Sequence, residues 1–318
     1  MLGRRMEAEI RDQPSVLAGN SGRYFEELRA AFEGRRFEAI VLAARGSSDN
    51  AALYARYLIE IHLGVPAVLA APSVWTRYGR RVKYPNCLAV GISQSGEAPD
   101  VAEVVGALRE DGHSTLAVTN TPGSPLAAIA ETTLALEAGE ERCVAATKTY
   151  TASLLAVFQL VRALGAELGD PVDSLPSEQW TETARESASA SSGALLRSHL
   201  IFALARGYGF CTAQEAGLKL MECALLACKS YSSADFQHGP KALAGPGTAA
   251  ILFGDPIEGL AEQGCEIVTA PRLQRAIAPP LLPLWDAVFA QWLALLCARA
   301  RGLDADDPRH LQKITRTL

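Results

Sequence analysis

A polar loop, Ser93-Gln94-Ser95-Gly96-Glu97, interrupts an apolar run. Upstream, Cys87 to Ile92 is rich in strand formers; downstream, Pro99 fits the first turn of a helix and Asp100 to Leu108 keeps helical spacing. A strand that empties into such a loop ahead of a helix aims backbone N–H groups, two hydroxyls and the helix's partial positive charge at one spot. That chemistry suits a phosphate, although a serine-capped strand-to-helix connection fits the same residues. Gly96 would let the backbone approach an anion closely or take a positive φ. A second group of residues offers proton transfer. Glu215, Lys219 and Glu222 fall on one stripe of a helix that starts near Thr212. If exposed, the stripe is a ladder of ion pairs worth roughly a few tenths of a kcal/mol each. Its neighbours Ala216, Leu218, Leu220, Ala224 and Leu225 instead predict burial, which would move the pKa of the carboxylate and of the amine toward neutrality. His238, in the turn Gln237-His238-Gly239-Pro240, has a pKa suited to proton traffic, or else is structural. Lys313 near the chain end reads as a solvated tail residue, and Cys143 to Thr149 precedes a helix that it could cap or leave facing a ligand.

These residues need a framework, and the sequence predicts one. Ala39 to Ala44 is an apolar strand that runs into Arg45-Gly46-Ser47-Ser48-Asp49-Asn50 and a helix over Ala51 to Leu63. Strands over Val65 to Ala70, Thr115 to Thr119 and Thr133 to Glu137 follow, with helices over Ser73 to Arg80 and Thr149 to Leu164. Strands alternating with helices at this rhythm argue for a parallel sheet flanked by helices. Ahead of this pattern, Met6 to Gln13 reads as a short charged helix ended by Pro14, and Arg23 to Phe32 as a second helix. After it, Pro176 opens a polar helix, and the small polar run Ser187 to Ser192 suits a link between packed units. The pattern then restarts: LAARGSSDNAALYARYLIE and ALARGYGFCTAQEAGLKLME share a strand end, an Arg-Gly and a following helix. Only the first copy carries the anion loop, because the corresponding strand of the second runs into Gly254-Asp255-Pro256. The expected fold class is therefore α/β, two tandem three-layer α/β/α subdomains. Their expected boundaries are 1–34 (helical lead-in), 35–168, 169–194 (helical linker), 195–303 and 304–318 (tail).

Composition narrows the function class. A length of 318 residues suits two α/β units, and a net charge of −5 argues against a nucleic-acid surface. An anionic substrate would then need a local site. The longest apolar stretch, Leu281 to Leu296, is broken by Pro283, Trp285, Asp286 and Gln291, so no membrane span is expected. The N-terminus lacks an apolar signal core, and a cytoplasmic location is expected. Seven scattered cysteines and five histidines show no metal-ligand spacing and read as reduced thiols, and no metal, nucleotide or redox cofactor is called for.

Together, Ser93-Gln94-Ser95-Gly96-Glu97, Val144-Ala145-Ala146-Thr147-Lys148, Glu215 to Glu222, His238-Gly239-Pro240 and Asp307 to Lys313 make the chain resemble the sugar isomerase (SIS) family. Within it, the resemblance is to the isomerase half of the glutamine:fructose-6-phosphate aminotransferases and to SIS-type glucosamine-6-phosphate deaminases, and it runs from about Met6 to the end. In those aminotransferases a glutaminase domain precedes this half, so a chain starting here is expected to have no ammonia source of its own. The resemblance implies that Ser93, Gln94 and Ser95 hold a phosphate, with Ser48, the backbone around Val144 and Gln312 near the sugar. It implies that Glu222 moves the proton between C1 and C2 and that Lys219 supports the transfers. His238 would reach across from the neighbouring subunit of a homodimer to open the ring, and Lys313 would close over the open-chain sugar. Two positions depart from the aminotransferase pattern: Ala98 replaces a phosphate-binding threonine and Ala146 a substrate-contacting serine. The function implied is an amino-sugar phosphate deaminase. A fructosamine-phosphate deglycase, a galactosamine-6-phosphate deaminase and a non-catalytic sugar-phosphate sensor are the alternatives.

Overall fold

Ala39–Ala44 and Cys87–Ile92 are buried along their whole length, as all-apolar strands in the middle of a parallel sheet must be. They organise the first of two compact units in the structure, a computed structural model that describes residues 2–272 and 276–313. This unit comprises Ser15–Glu141 and Lys148–Asp173, and the other takes the chain up to Pro14, Arg142–Thr147 and Ser174–Lys313.

In the first unit, β1 (Ala39–Ala44), β2 (Ala67–Leu69), β3 (Cys87–Ile92), β4 (Ser114–Thr119) and β5 (Thr132–Ala135) form an all-parallel sheet in the order β2-β1-β3-β4-β5. Helices α2 (Ser47–His62), α3 (Ser73–Thr76), α4 (Pro99–Glu110), α5 (Pro125–Ile129) and α6 (Lys148–Ala163) flank it. Helix α1 (Arg4–Phe32) crosses the division at Pro14. In the second unit, β6 (Leu200–Ala205), β7 (Cys228–Ser232), β8 (Thr248–Leu252) and β9 (Glu266–Thr269) are again all parallel, in the order β7-β6-β8-β9. The helices here are α7 (Glu178–Arg197), α8 (Phe210–Ala224), α9 (Ser233–Gln237) and α10 (Leu282–Ala300). Both sheets place their third strand on the opposite side of the first strand from the second. The repeat read from the two Arg-Gly segments is therefore a repeat of fold, and each glycine in it has a positive φ, +56° at Gly46 and +62° at Gly207.

Several elements differ from expectation. The lead-in is one helix, with Pro14 inside it. Proline at that position removes the hydrogen bond to the carbonyl of Ile10, and the Gln13 side chain supplies a substitute: its Nε2 donates to that carbonyl at 3.0 Å. The serine run 187–192 is not a link but part of α7, which Ser177 caps by accepting from Trp180 N at 3.2 Å. Ala184, Ala188 and Leu195 give that helix a buried face, and Trp180 packs edge-on against Trp285 of α10 with ring centroids 5.1 Å apart. The helix expected over residues 73–80 is a single turn. Strand β7 has a polar sequence, CKSYS, and was not expected. It is held by register with β6, Ile201 opposite Cys228 through Ala205 opposite Ser232. By length and composition alone α10 could cross a membrane, but 89% of its apolar window is buried inside the protein.

Candidate active site

In the first unit the residues expected to hold an anion lie where its topology reverses. The chain leaves β1 toward β2 on one side and returns to β3 on the other, so the loops after β1 and β3 diverge and leave a crevice at the carboxyl ends of the strands. Ser48 lies in the first turn of α2, after the loop from β1, and Ser93, Gln94 and Ser95 form the loop after β3. The loop is tightly specified. Ser93 N donates to Val118 O (3.0 Å), and the Gln94 carbonyl accepts from Asn120 N (3.0 Å) and Thr119 Oγ1 (3.2 Å). Ser93 Oγ accepts from Gly96 N (3.1 Å) and Ser95 Oγ from Glu97 N (3.3 Å). Each hydroxyl thus spends a lone pair on the loop and keeps its own proton to donate outward. Gly96 has φ +66°, and a Cβ there would fall 1.9 Å from Ser124 Oγ. Its close approach is therefore to the Ser124 turn. Ala98 caps α4 without a side-chain hydrogen bond. Asp100, in the first turn of α4 and 3% exposed, accepts from Val101 N (2.9 Å) and from Arg45 Nε (2.6 Å).

The second unit carries the residues expected to move protons. Helix α8 lies so close to β7 that a Cβ at Gly217 would sit 2.4 Å from Ser230 Oγ, and that hydroxyl donates to the Ala213 carbonyl at 2.7 Å. This contact fixes the helix on its sheet, and the stripe at 215, 219 and 222 goes with it. Lys219 is 1% exposed and Glu215 fully buried, their charged atoms 3.3 Å apart. Lys219 Nζ also donates to Glu222 Oε2 at 2.7 Å, and the Glu222 side chain is 23% exposed. Burial alone would lower the Lys219 pKa, yet the two carboxylates outweigh it and raise it above the usual lysine value. The expected drift of the amine toward neutrality does not occur. Lys219 is a permanent cation that holds Glu222 in place through the 2.7 Å contact. The helix ends just beyond, at Leu225, a non-glycine residue with φ +51°. His238 ends α9 and is exposed.

The tail is tied to the same unit. Asp306 accepts from Arg5 N (2.9 Å) and Met6 N (2.8 Å), and Asp304 from Gly3 N (2.8 Å), so the tail caps the start of α1. From the same helix, Glu9 Oε1 accepts from Arg142 N (2.6 Å) and Cys143 N (3.2 Å) and orders the segment leading to Val144. Cys143 Sγ lies 3.2 Å from Ala305 O, and Lys313 Nζ donates to the Cys143 carbonyl at 2.6 Å. Lys313 is thus docked on the loop that carries Val144, one residue beyond exposed Gln312, rather than solvated. Glu9, Asp304 and Asp306 were not among the expected site residues. Glu9 does share a helical face with Met6, Ile10 and Gln13, a buried stripe that the sequence displays. All seven cysteines are free and buried, and burial pushes the Cys223 thiol up to about 12. Among the described residues no group of histidine, cysteine and carboxylate side chains has metal-site geometry.

Comparison with known proteins adds to this geometry. Residues 36–163 match the SIS domain model. Over 350 aligned residues the chain is 31% identical to glutamine–fructose-6-phosphate aminotransferase [isomerizing] of Streptococcus pneumoniae, covering 97% of this chain and 58% of that protein. The chain thus spans little more than half the length of this curated relative. Two crystal structures share the fold at 22% identity. The C-terminal domain of glucosamine-fructose-6-phosphate aminotransferase from Francisella tularensis superposes with a TM-score of 0.79, over 96% of this chain and 98% of that one. Glucosamine-6-phosphate deaminase from Thermotoga maritima superposes with a TM-score of 0.80, over 98% and 100%.

Proposed function

We propose that this protein, which belongs to the sugar isomerase (SIS) family, converts glucosamine-6-phosphate and water to fructose-6-phosphate and ammonia. The observation that carries the reading is Glu222, half-sheltered at the end of a buried helix, with one carboxylate oxygen bound to a buried lysine. A base that shuttles a proton between adjacent carbons must be rigidly held and reachable by substrate, and this arrangement supports both.

In this reading Ser93, Gln94 and Ser95 grip the phosphate, and Ser48, Gln312 and the backbone at Val144 orient the sugar. His238, contributed by the second subunit of a homodimer, opens the pyranose ring by moving a proton between O1 and O5. Glu222 then takes the C2 proton of the open-chain aldehyde while O1 gains a proton from water, giving an enolamine, and returns the C2 proton to C1 as the nitrogen releases one proton to water. The product is a C2 imine. Water adds to the imine carbon, and the C–N bond breaks to leave the ketose and ammonia. Lys219 holds the Glu222 carboxyl group in place through both transfers. Lys313, released from the Cys143 carbonyl, neutralises charge on the enolamine and covers it. The protein acts in the cytoplasm.

Incubation of the purified protein with glucosamine-6-phosphate tests the proposal. Ammonia and fructose-6-phosphate should appear in equal amounts. Sugar-phosphate binding without turnover would make the protein a sensor, and turnover confined to galactosamine-6-phosphate or to a fructosamine phosphate would overturn the substrate assignment.

A further inference from the structure

The anion cradle has lost a hydroxyl at Ala98, and the structure offers a replacement donor. Ala44 of β1 stands opposite Ile92 of β3 in the sheet register. The residues that follow, Arg45 and Ser93, therefore leave the sheet side by side, at about the spacing of adjacent strands, roughly 4.8 Å. Arg45 also reaches the first turn of α4, where its Nε meets Asp100 Oδ2 at 2.6 Å. It thus touches the helix whose N-cap is Ala98 and adjoins the loop that carries the serines.

The contact uses one edge of the guanidinium only. Both terminal nitrogens, with four N–H donors, make no hydrogen bond to any described residue, and the side chain is half exposed. Asp100 is 3% exposed and could not sit uncompensated beside a bound dianion. Pairing with Arg45 cancels its charge and pins the guanidinium. Asp49 is the other carboxylate within the field of Arg45: partial desolvation raises its pKa and Arg45 opposes that rise.

We propose that Arg45, braced by Asp100, is a phosphate-binding residue of this site, supplying with its free terminal nitrogens the donors that Ala98 lacks. The inference rests on the sugar-phosphate reading above and adds to it a charged, forked contact suited to a phosphate monoester. The same contact offers nothing to an unphosphorylated sugar.

Binding of fructose-6-phosphate, measured by calorimetry on wild type and three variants, tests it without requiring turnover. Loss of a charge-assisted contact predicts that Arg45→Gln weakens binding by about ten- to a hundredfold. Arg45→Lys, which keeps charge but not the fork, should fall between. Arg45→Gln/Asp100→Asn removes both partners, so no buried charge is left orphaned, and it should stay as weak as Arg45→Gln. If the double variant recovers wild-type affinity, Arg45 merely neutralises Asp100 and the proposal fails. It fails equally if Arg45→Gln binds as tightly as wild type. A wild-type protein that binds no sugar phosphate would refute the functional reading itself. In steady-state assays the weakened variants should raise KM and leave kcat nearly unchanged, as loss of uniform binding requires.

Discussion

Replacing Lys219 by methionine keeps most of the side-chain volume and removes the charge between two carboxylates. Glu215 is fully buried and Lys219 1% exposed, with 3.3 Å between their charged atoms. Without the ammonium, Glu215 is a buried carboxylate that has lost its cationic neighbour, and breaking a buried pair in this way costs about 3–5 kcal/mol. Glu222 loses its 2.7 Å contact as well, but water reaches it at 23% exposure, so its share is smaller. Lys219→Met should therefore lower the unfolding free energy by most of that amount, read as a lower urea midpoint at unchanged slope. The double variant Lys219→Met/Glu215→Gln should recover the larger part, because no buried charge remains, whereas Lys219→Met/Glu222→Gln should recover little. The pH dependence has a definite sign. The Lys219 pKa is raised in the fold, so its stabilisation is fully present below the unfolded-state value near 10.5 and is lost only as pH climbs through the higher folded value. Between pH 6 and 9 the Lys219 contribution to wild-type stability should accordingly be flat. A loss below about 1 kcal/mol, or no rescue by Glu215→Gln, would refute the view that Lys219 is a permanent buried cation.

Three further outcomes follow from the same contacts. Gly96→Ala places a Cβ against Ser124 and strains a φ of +66°, so it should cost about 1–3 kcal/mol of stability and raise KM for sugar phosphates, read by unfolding and steady-state kinetics. Asp306→Ala frees the tail from the start of α1, and KM for the open-chain substrate should rise while a variant at exposed Glu258 serves as an unaffected control. Burial raises the Asp286 pKa from 3.8 to about 6 despite Arg272 at 2.7 Å. The fold therefore holds that proton more tightly than the unfolded chain does, and wild-type stability should fall as pH rises from about 4 to 6. Asp286→Asn should lack this fall and gain relative to wild type by up to about 3 kcal/mol across that interval.

What the sequence displayed was whatever a local period or a turn residue encodes. The strands at Ala39–Ala44 and Cys87–Ile92 are buried on both faces and read as unbroken apolar runs, and the Arg-Gly segments expose the repeat because both follow the first strand of a sheet. Other elements depend on partners far along the chain. Pro14 ought to end a helix and does not, because Gln13 replaces the missing donor, a side-chain remedy invisible to propensity. The serines of 187–192 join α7 because Ala184, Ala188 and Leu195 bury one face every turn, a tertiary override of weak helix formers. Strand β7 is polar and exists through its register with β6. At the site, the stripe at 215, 219 and 222 was visible as spacing, but its electrostatics were not: burial by itself favours a neutral lysine, and only two carboxylates around one ammonium reverse that. Lys313 looked like a solvated tail residue because Asp304 and Asp306, which anchor the tail to α1, lie some 300 residues from their partners.

The central claim is that the Glu222 carboxylate carries one proton from C2 to C1 of a bound amino-sugar phosphate. Glucosamine-6-phosphate deuterated at C2 addresses it directly, with the fructose-6-phosphate product read by mass spectrometry and NMR. The account predicts deuterium at C1 of the ketose, diluted by exchange with solvent to the extent that the carboxylic acid equilibrates before returning it. It also predicts that Glu222→Gln binds the sugar phosphate but loses about 10²–10⁴-fold in turnover, with no washout of label from C2. Full turnover by Glu222→Gln, with deuterium still delivered to C1, would contradict it.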